Sequence, residues 1–334
     1  MTLFTLEDLG WSEHFAQQIS PPETPARVSG VTRNGITALA LNGTIALTTP
    51  LPTGFYAVGD WVIYEGALVT RLLERTTTIA RRAVGDTAAR QLIAANVDHL
   101  AIVTSCNADF NPARLERYLA LCASAGARPL VILTKADLAS YAAEPEVLRQ
   151  MAETLAPNVM AMTLNAKDPS DVARLAEFCQ KGQTLALIGS SGVGKTTLQN
   201  GLTGLNEATA AIRDDDAKGR HTTTARALRQ TLAGGWLIDT PGIRELRLSD
   251  AYDGIEAVFA DLIALSHLCK FSDCSHVHEP GCAMQKAVEE GQLDPLRIAR
   301  WKKLLAEDLE NDASSLRLQK RQNRKGNKTK KGKK

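Results

Sequence analysis

The sequence predicts a multidomain chain with a small N-terminal β-barrel, a central α/β domain and a C-terminal helical domain built around a metal. Three observations carry that prediction. Five short β runs separated by turn signals fill residues 26–74. From Asn96 onward apolar strand-like runs alternate with helical stretches, which specifies a parallel sheet with helices on both faces. Near the C-terminus, three cysteines and one histidine fall within fourteen residues.

In chain order, residues 1–22 predict a short helix over Leu6–Ile19, stopped by Pro21-Pro22. Residues 23–88 predict the barrel. Its runs ARVSGV, ITALAL, GTIALTT, GDWVIYE and ALVTRLLE are divided by Asn34-Gly35, Asn42-Gly43, Pro50–Gly54 and Glu65-Gly66. Five strands in so short a stretch suggest a barrel of the OB type, a frequent oligonucleotide binder. Phe55, Tyr56, Trp61 and Tyr64 are its candidates for base stacking, with half of them expected in the core. Arg75, Arg81 and Arg82 either touch phosphates or face solvent. Residues 89–250 predict the α/β domain, with strands at 99–105, 128–134 and 158–164. Helices are expected from Pro112 to about Ala125, around Pro145–Leu155 and at Pro169–Cys179. The runs 227–232 and 235–239 predict a hairpin. Helices near Ala257–His267 and Asp294–Asp312 belong to the third domain, residues 251–316, and residues 317–334 form a basic tail.

Within the central domain, Leu185–Asn200 reads as a short strand, a glycine-rich loop and a helix start. Gly189, Ser190, Ser191, Gly192, Val193, Gly194, Lys195 and Thr196 fit G-x-x-x-x-G-K-[ST], followed by Thr197. Glycines let successive N–H groups turn inward around phosphate oxygens, and the next helix adds its positive end. Lys195 is expected to reach the β/γ-phosphates and the Thr196 hydroxyl to bind Mg²⁺. Thr134-Lys135-Ala136-Asp137 closes a predicted strand. A carboxylate at Asp137 can accept both N1–H and N2–H of guanine, a pairing adenine cannot offer, so the nucleotide is GTP or GDP. Thr134 stands where Asn is usual, and Asn165-Ala166-Lys167 has the shape of a loop backing the base.

Asp239-Thr240-Pro241-Gly242 fits D-x-x-G, with Asp239 holding Mg²⁺ through water and the Gly242 N–H meeting the γ-phosphate. Between these motifs lies Gly219–Thr224, whose Thr223 is expected to complete the Mg²⁺ shell. Ile243 follows D-x-x-G where a water-orienting Gln is normal, so unaided turnover should be slow. His221 is the candidate for orienting water, and an RNA or phosphate contact is its alternative role. TKAD precedes the phosphate loop, so the chain is a circularly permuted P-loop GTPase. The D-x-x-G segment then runs directly into the C-terminal domain and can pull on it when the γ-phosphate leaves.

Cys269, Cys274, His276 and Cys282 offer three thiolates and an imidazole, a closed tetrahedral set suited to one structural Zn²⁺. His278 falls outside the set. The scattered Cys106, Cys122 and Cys179 fit a reducing compartment, and no run of 18 apolar residues exists, so a cytoplasmic chain without membrane association is expected. Net charge is +2, yet residues 317–334 hold ten Lys/Arg and no acid. The remaining 29 basic residues face 37 acidic ones, so residues 1–316 carry −8. An acidic body repels a polyanion and the tail grips one.

Together VGDWV (58–62), AANVD (94–98), TKAD (134–137), GSSGVGKTT (189–197), GRHTTT (219–224), DTPGI (239–243) and the Cys/His spacing resemble the small ribosomal subunit biogenesis GTPase RsgA family, of the YjeQ/YloQ type. The resemblance runs nearly the whole length. It implies GTP-binding residues at Thr134–Asp137 and Gly189–Thr197 and zinc ligands at Cys269, Cys274, His276 and Cys282. It further implies a monomeric GTPase that docks on the small ribosomal subunit and its rRNA late in maturation, with hydrolysis stimulated by the subunit. The rival expectation is a constitutive rRNA-binding module whose nucleotide site is mainly structural.

Overall fold

The computed structural model describes residues 4–82, 90–107, 109–138, 144–206, 227–239 and 252–310. The helix expected over Leu6–Ile19 is cut short. Residues 6–10 form turns, and only α1 (Glu13–Ala16) is helical. Gly10 is the cause: it sits at φ +86, and a Cβ there would lie 2.6 Å from the Gly182 carbonyl oxygen. The chain must therefore turn tightly where it meets the central domain.

Five antiparallel-paired strands follow: β1 (Thr24–Val31), β2 (Ile36–Ala40), β3 (Gly43–Leu47), β4 (Trp61–Glu65) and β5 (Leu68–Leu72). Their order is β3-β2-β1-β4-β5. A parallel bridge between Thr48 and Leu68 joins the two outer strands, with Thr48 N–H donating to Ala67 O and Val69 N–H to Thr48 O. The sheet thus closes on itself. Inside it Ala26, Val28, Ile36, Ala38, Leu47, Tyr56, Val62 and Val69 make a separate core. Tyr56 and Trp61 are buried, whereas Phe55 is 56% exposed, so the stacking candidates divide as expected. Arg75 grips Asp60 through two hydrogen bonds of 2.6 and 2.7 Å, which assigns it to a buried ion pair instead of a phosphate contact.

A hairpin absent from the sequence reading comes next, β6 (Thr78–Arg82) with β7 (Arg90–Ala95). The central sheet then runs through β8 (His99–Ser105), α2 (Pro112–Ala125), β9 (Arg128–Thr134), α3 (Pro145–Glu153), β10 (Met160–Thr163), α4 (Pro169–Ala176), β11 (Thr184–Gly189), α5 (Lys195–Thr203), β12 (Leu228–Gln230) and β13 (Trp236–Asp239). Strand order is β10-β9-β8-β11-β13-β12, parallel except for the antiparallel edge strand β12. Alternation with period two sorts the side chains. Leu100, Ile102, Val131, Leu133, Ala186, Ile188, Trp236 and Ile238 enter one core. Ala101, Val103, Leu130, Ile132, Leu185, Leu187 and Leu237 enter the other, under α4 and α5.

The C-terminal part holds α6 (Tyr252–Val258), α7 (Ala260–Ser266), α8 (Ala283–Glu289) and a helix over 295–310, labelled α9. The single helix expected near Ala257–His267 is divided at Phe259, a fully buried ring. Gly254 lets α6 close onto α2, because a Cβ there would lie 2.1 Å from Ala120 O. No helix among the described residues is long and apolar enough to cross a membrane.

Candidate functional site

In an open α/β sheet, ligands bind outside the carboxyl ends of the strands, where the connections change direction. Here β8, β9 and β10 progress one way and β11 and β13 the other, which sets that crevice between β8 and β11. The parallel strands end at Thr134 (β9), Gly189 (β11) and Asp239 (β13), all on this one edge. Motifs widely separated and permuted in sequence therefore converge.

The phosphate loop is shaped by its glycines. Gly189, Gly192 and Gly194 adopt φ +144, +79 and +97. At Gly189 a side chain is excluded outright, since a Cβ would lie 2.1 Å from Val103 O on the neighbouring strand. Val193 is buried under the loop, while Ser191 and Gly192 are exposed above it. Gly194 caps α5, so the helix N-terminus opens toward the loop. Lys195 Nζ donates to Gly189 O at 2.8 Å and to Ser190 O, arching over the loop. Thr196 and Thr197 lie half-buried in the first turn of α5.

Thr134 ties the end of β9 to that loop. Its hydroxyl lies 2.6 Å from Val193 O and 3.0 Å from Thr104 O, and the residue is fully buried. A side chain so engaged fixes the spacing between the loop and Lys135–Asp137. Lys135 follows at φ +58, and Ala136–Leu138 form a 3-10 turn that leaves Asp137 exposed at the crevice edge. Asn165 and Lys167 sit beyond β10 in a loop pinned by the Asn165 N–H to Asp171 carboxylate bond of 2.7 Å and the Lys167 N–H to Asn165 Oδ1 bond of 3.0 Å.

Sequence reasoning missed Tyr118. It is buried on α2, and burial raises its hydroxyl pKa against a lesser lowering from Arg114 and the Ser190 side chain of the phosphate loop. Nothing in its spacing marks it, because a tyrosine on an apolar helix face reads as core. His221, Thr223 and Gly242 lie outside the described residues, and of the D-x-x-G segment only the strand end at Asp239 is described.

A second constellation lies in the C-terminal part. The donor atoms of Cys269, Cys274, His276 and Cys282 all fall within 4.8 Å of one another, an arrangement able to hold a metal ion. Cys269 Sγ is 3.5 Å from His276 Nδ1 and 3.9 Å from Cys282 Sγ, and Cys282 Sγ is 3.6 Å from the same nitrogen. The loop is held from behind by Glu279, whose carboxylate accepts from the N–H groups of Ser275, Val277 and His278 at 2.8, 3.1 and 3.2 Å. The Ser275 hydroxyl, with the N–H groups of Ser275 and Val277, holds the Glu279 carboxyl far below the usual range. His276 itself stands at φ +57, which this bracing maintains.

Comparison with known proteins agrees with this geometry. Residues 72–249 match the family described as RsgA GTPase. The chain is 51% identical over 318 residues to the small ribosomal subunit biogenesis GTPase RsgA of Mesorhizobium japonicum, covering 92% of this chain and 91% of that protein. Among solved structures it is similar to YjeQ from Thermotoga maritima (TM-score 0.63, 23% identity, 86% of this chain and 99% of that one). It is also similar to YloQ, a circularly permuted GTPase (TM-score 0.60, 22% identity, 87% of this chain and 96% of that one).

Proposed function

The chain belongs to the RsgA GTPase family, and from that premise we infer that it is a GTPase working in small ribosomal subunit biogenesis. The observation that carries the nucleotide chemistry is the Thr134–Val193 bond, which brings base reader and phosphate loop to one edge despite their reversed order. Asp137 reads guanine. The N–H groups of Gly189–Gly194, with Lys195, hold the phosphates. Thr196, Thr223 and Asp239 would hold Mg²⁺, which when bound with GTP neutralises charge on the phosphates. Gly242 N–H and His221 act at the γ-phosphate. Because Ile243 cannot polarise water, the free protein turns over slowly and waits for its partner.

We propose further that the chain acts at a late stage, that the subunit stimulates hydrolysis, and that hydrolysis releases the chain. The strand order β3-β2-β1-β4-β5 closed by Thr48 and Leu68 supports an OB-type barrel over residues 23–88. Residues 89–250 would form the GTPase domain, 251–316 the metal domain and 317–334 the RNA-gripping tail, in a monomeric cytoplasmic protein. Zinc is supported by chemistry and spacing. A tetrahedral Zn²⁺ with bonds of about 2.3 Å to sulfur and about 2.0 Å to nitrogen requires edges of about 3.8 Å (S···S) and about 3.5 Å (S···N). The observed 3.9, 3.5 and 3.6 Å fit. All four positions are filled by protein, so the ion is structural.

The test is the GTP hydrolysis rate with and without purified small subunits. At least a tenfold increase is expected, together with tighter subunit binding in the GTP state than in the GDP state. Equal rates and equal affinities would favour a constitutive RNA-binding module, since a ligand without differential binding shifts nothing.

A further inference from the structure

Besides its Arg27 bonds and the Val58–Ala94 bridge, the N-terminal barrel touches the central domain at two places, beside β12 and at the end of β13, that the proposed reaction leaves unused. Strand β1 changes neighbours midway. Thr24–Arg27 pair with β4, the register slips between Val28 and Gly30, and Gly30 bridges Ala227 in antiparallel sense. Ala227 is the residue before β12, three positions after Thr224. At the barrel corner Gly59 adopts φ +94, and its N–H donates to Val28 O at 2.8 Å. A Cβ on Gly59 would lie 2.1 Å from Ala95 O at the end of β7 and 3.2 Å from Cδ1 of Ile238, the residue immediately before Asp239. Leu228, Trp236 and Ile238 also share one apolar core with Leu39, Val58 and Trp61 of the barrel.

β12 is a three-residue edge strand whose ladder partner within the central sheet is β13. A strand that short and hydrogen-bonded mainly on one side has little of its own to fix its position. The barrel supplies the other side. We infer that Gly30 and Gly59 are positioning residues, through which the barrel sets the placement of the two strands that enter and leave the γ-phosphate-reading loops. This rests on reading 219–224 and 239–242 as those loops. A displacement of the barrel reaches β12 through Ala227 and β13 through Ile238. Nucleotide affinity depends on TKAD and the phosphate loop; of their strands the barrel bonds β11 at Thr184, the end away from that loop. The signature is therefore a change in hydrolysis rate at constant GDP affinity.

A reversible tether tests it. Directly opposed residues of an antiparallel pair have Cα atoms about 4.5–5.5 Å apart, within the roughly 4.4–6.8 Å that a disulfide spans. The double variant Gly30→Cys/Ala227→Cys in the full metal-loaded chain is assayed for single-turnover GTP hydrolysis and GDP affinity, oxidised and then reduced. The rates are expected to differ at least threefold and to return on reduction, with GDP affinity within twofold throughout. Ala227→Pro, a residue poorly tolerated where strands pair, perturbs the bridge without a cross-link and should likewise shift the rate at least threefold at the same GDP affinity. Unchanged rates in all forms would overturn the inference. Repeating the assay with small subunits separates the two readings. If no form responds to subunits, the partner assignment falls, while the oxidised-to-reduced comparison still decides the role of the barrel.

Discussion

The two outer parts of the molecule are fastened to the central sheet by different physics and on different halves. The N-terminal part meets β11, β13 and the residue before β12. Its joint is mostly apolar, with one buried guanidinium: Arg27 donates to Leu9 O, to Asn96 O at 3.3 Å and to Thr184 Oγ1 at 2.6 Å. Burial lowers the Arg27 pKa to about 10, so it stays charged at neutral pH. The C-terminal part meets α2 and the segment after α3. Its joint adds ions to the apolar packing of α6 on α2: fully buried Glu116 accepts from Arg300 Nε at 2.7 Å and pairs with Arg297 at 3.5 Å. Arg297 continues to Leu155 O, Val258 O and Asp261, and lies over the Phe259 ring. The sequence order suggested a direct pull from D-x-x-G on the C-terminal domain. The structure adds a second attachment through α2, so any such pull acts on a domain already anchored.

That contrast can be broken at several points. The largest effect should follow metal removal. Structural Zn²⁺ sites contribute about 10–16 kcal/mol in small domains, and the helices around Cys269–Cys282 hold a small core. A strong chelator should therefore abolish amide-exchange protection in α7 and α8 while leaving that of the barrel and its GDP affinity intact. Loss of protection in the barrel as well would show that the two joints are not independent.

Next in size is Glu116→Ala, which removes the buried carboxylate between Arg297 and Arg300 and leaves them Asp261 and Asp294. Removing one partner of a buried charge cluster costs about 3–5 kcal/mol, read as early exposure of α6 and α9 in denaturant. Arg27→Met should cost less, about 1–3 kcal/mol for the acceptors left unpaired, and should loosen β1 and α1 instead. If both variants exposed the same segments first, the division into two joints would be wrong.

The smallest effect concerns acid. Asp8 carries a pKa lowered from 3.8 to about 2, chiefly by its hydrogen bond with Lys181 and then by the Thr5 N–H. A depressed carboxylate contributes stability above pH 4 that is lost as pH falls toward 2. The pair joins the N-terminal turns to the loop before β11, so titration should weaken protection there, and Asp8→Asn should remove that dependence. The pair is exposed, so high salt should blunt the effect.

Much of this architecture was legible in the residues. The five barrel strands, α2 with Pro112 in its first turn, and the hairpin of β12 and β13 follow from turn chemistry and periodicity. The phosphate loop and the Cys/His set follow from spacing. What stayed hidden depends on tertiary contact. Gly10 breaks the first helix because Gly182 approaches it. The β6–β7 hairpin lacks apolar alternation at Arg81-Arg82 and Arg90-Gln91. Arg75 reads as a surface cation until Asp60 is found beside it. The tether made by Thr134 was equally unreadable, since a hydroxyl in a motif gives no sign of which carbonyl it will meet.

The central claim, that Asp137 and the phosphate loop hold one guanine nucleotide, is tested most directly by titrating diphosphates against Asp137→Asn. The carboxamide cannot accept both N1–H and N2–H, but it matches the N1–H and O2 of xanthine. The account predicts at least a hundredfold loss of GDP affinity, a gain in xanthosine diphosphate affinity and no gain for ADP. GDP binding unchanged in this variant would contradict it.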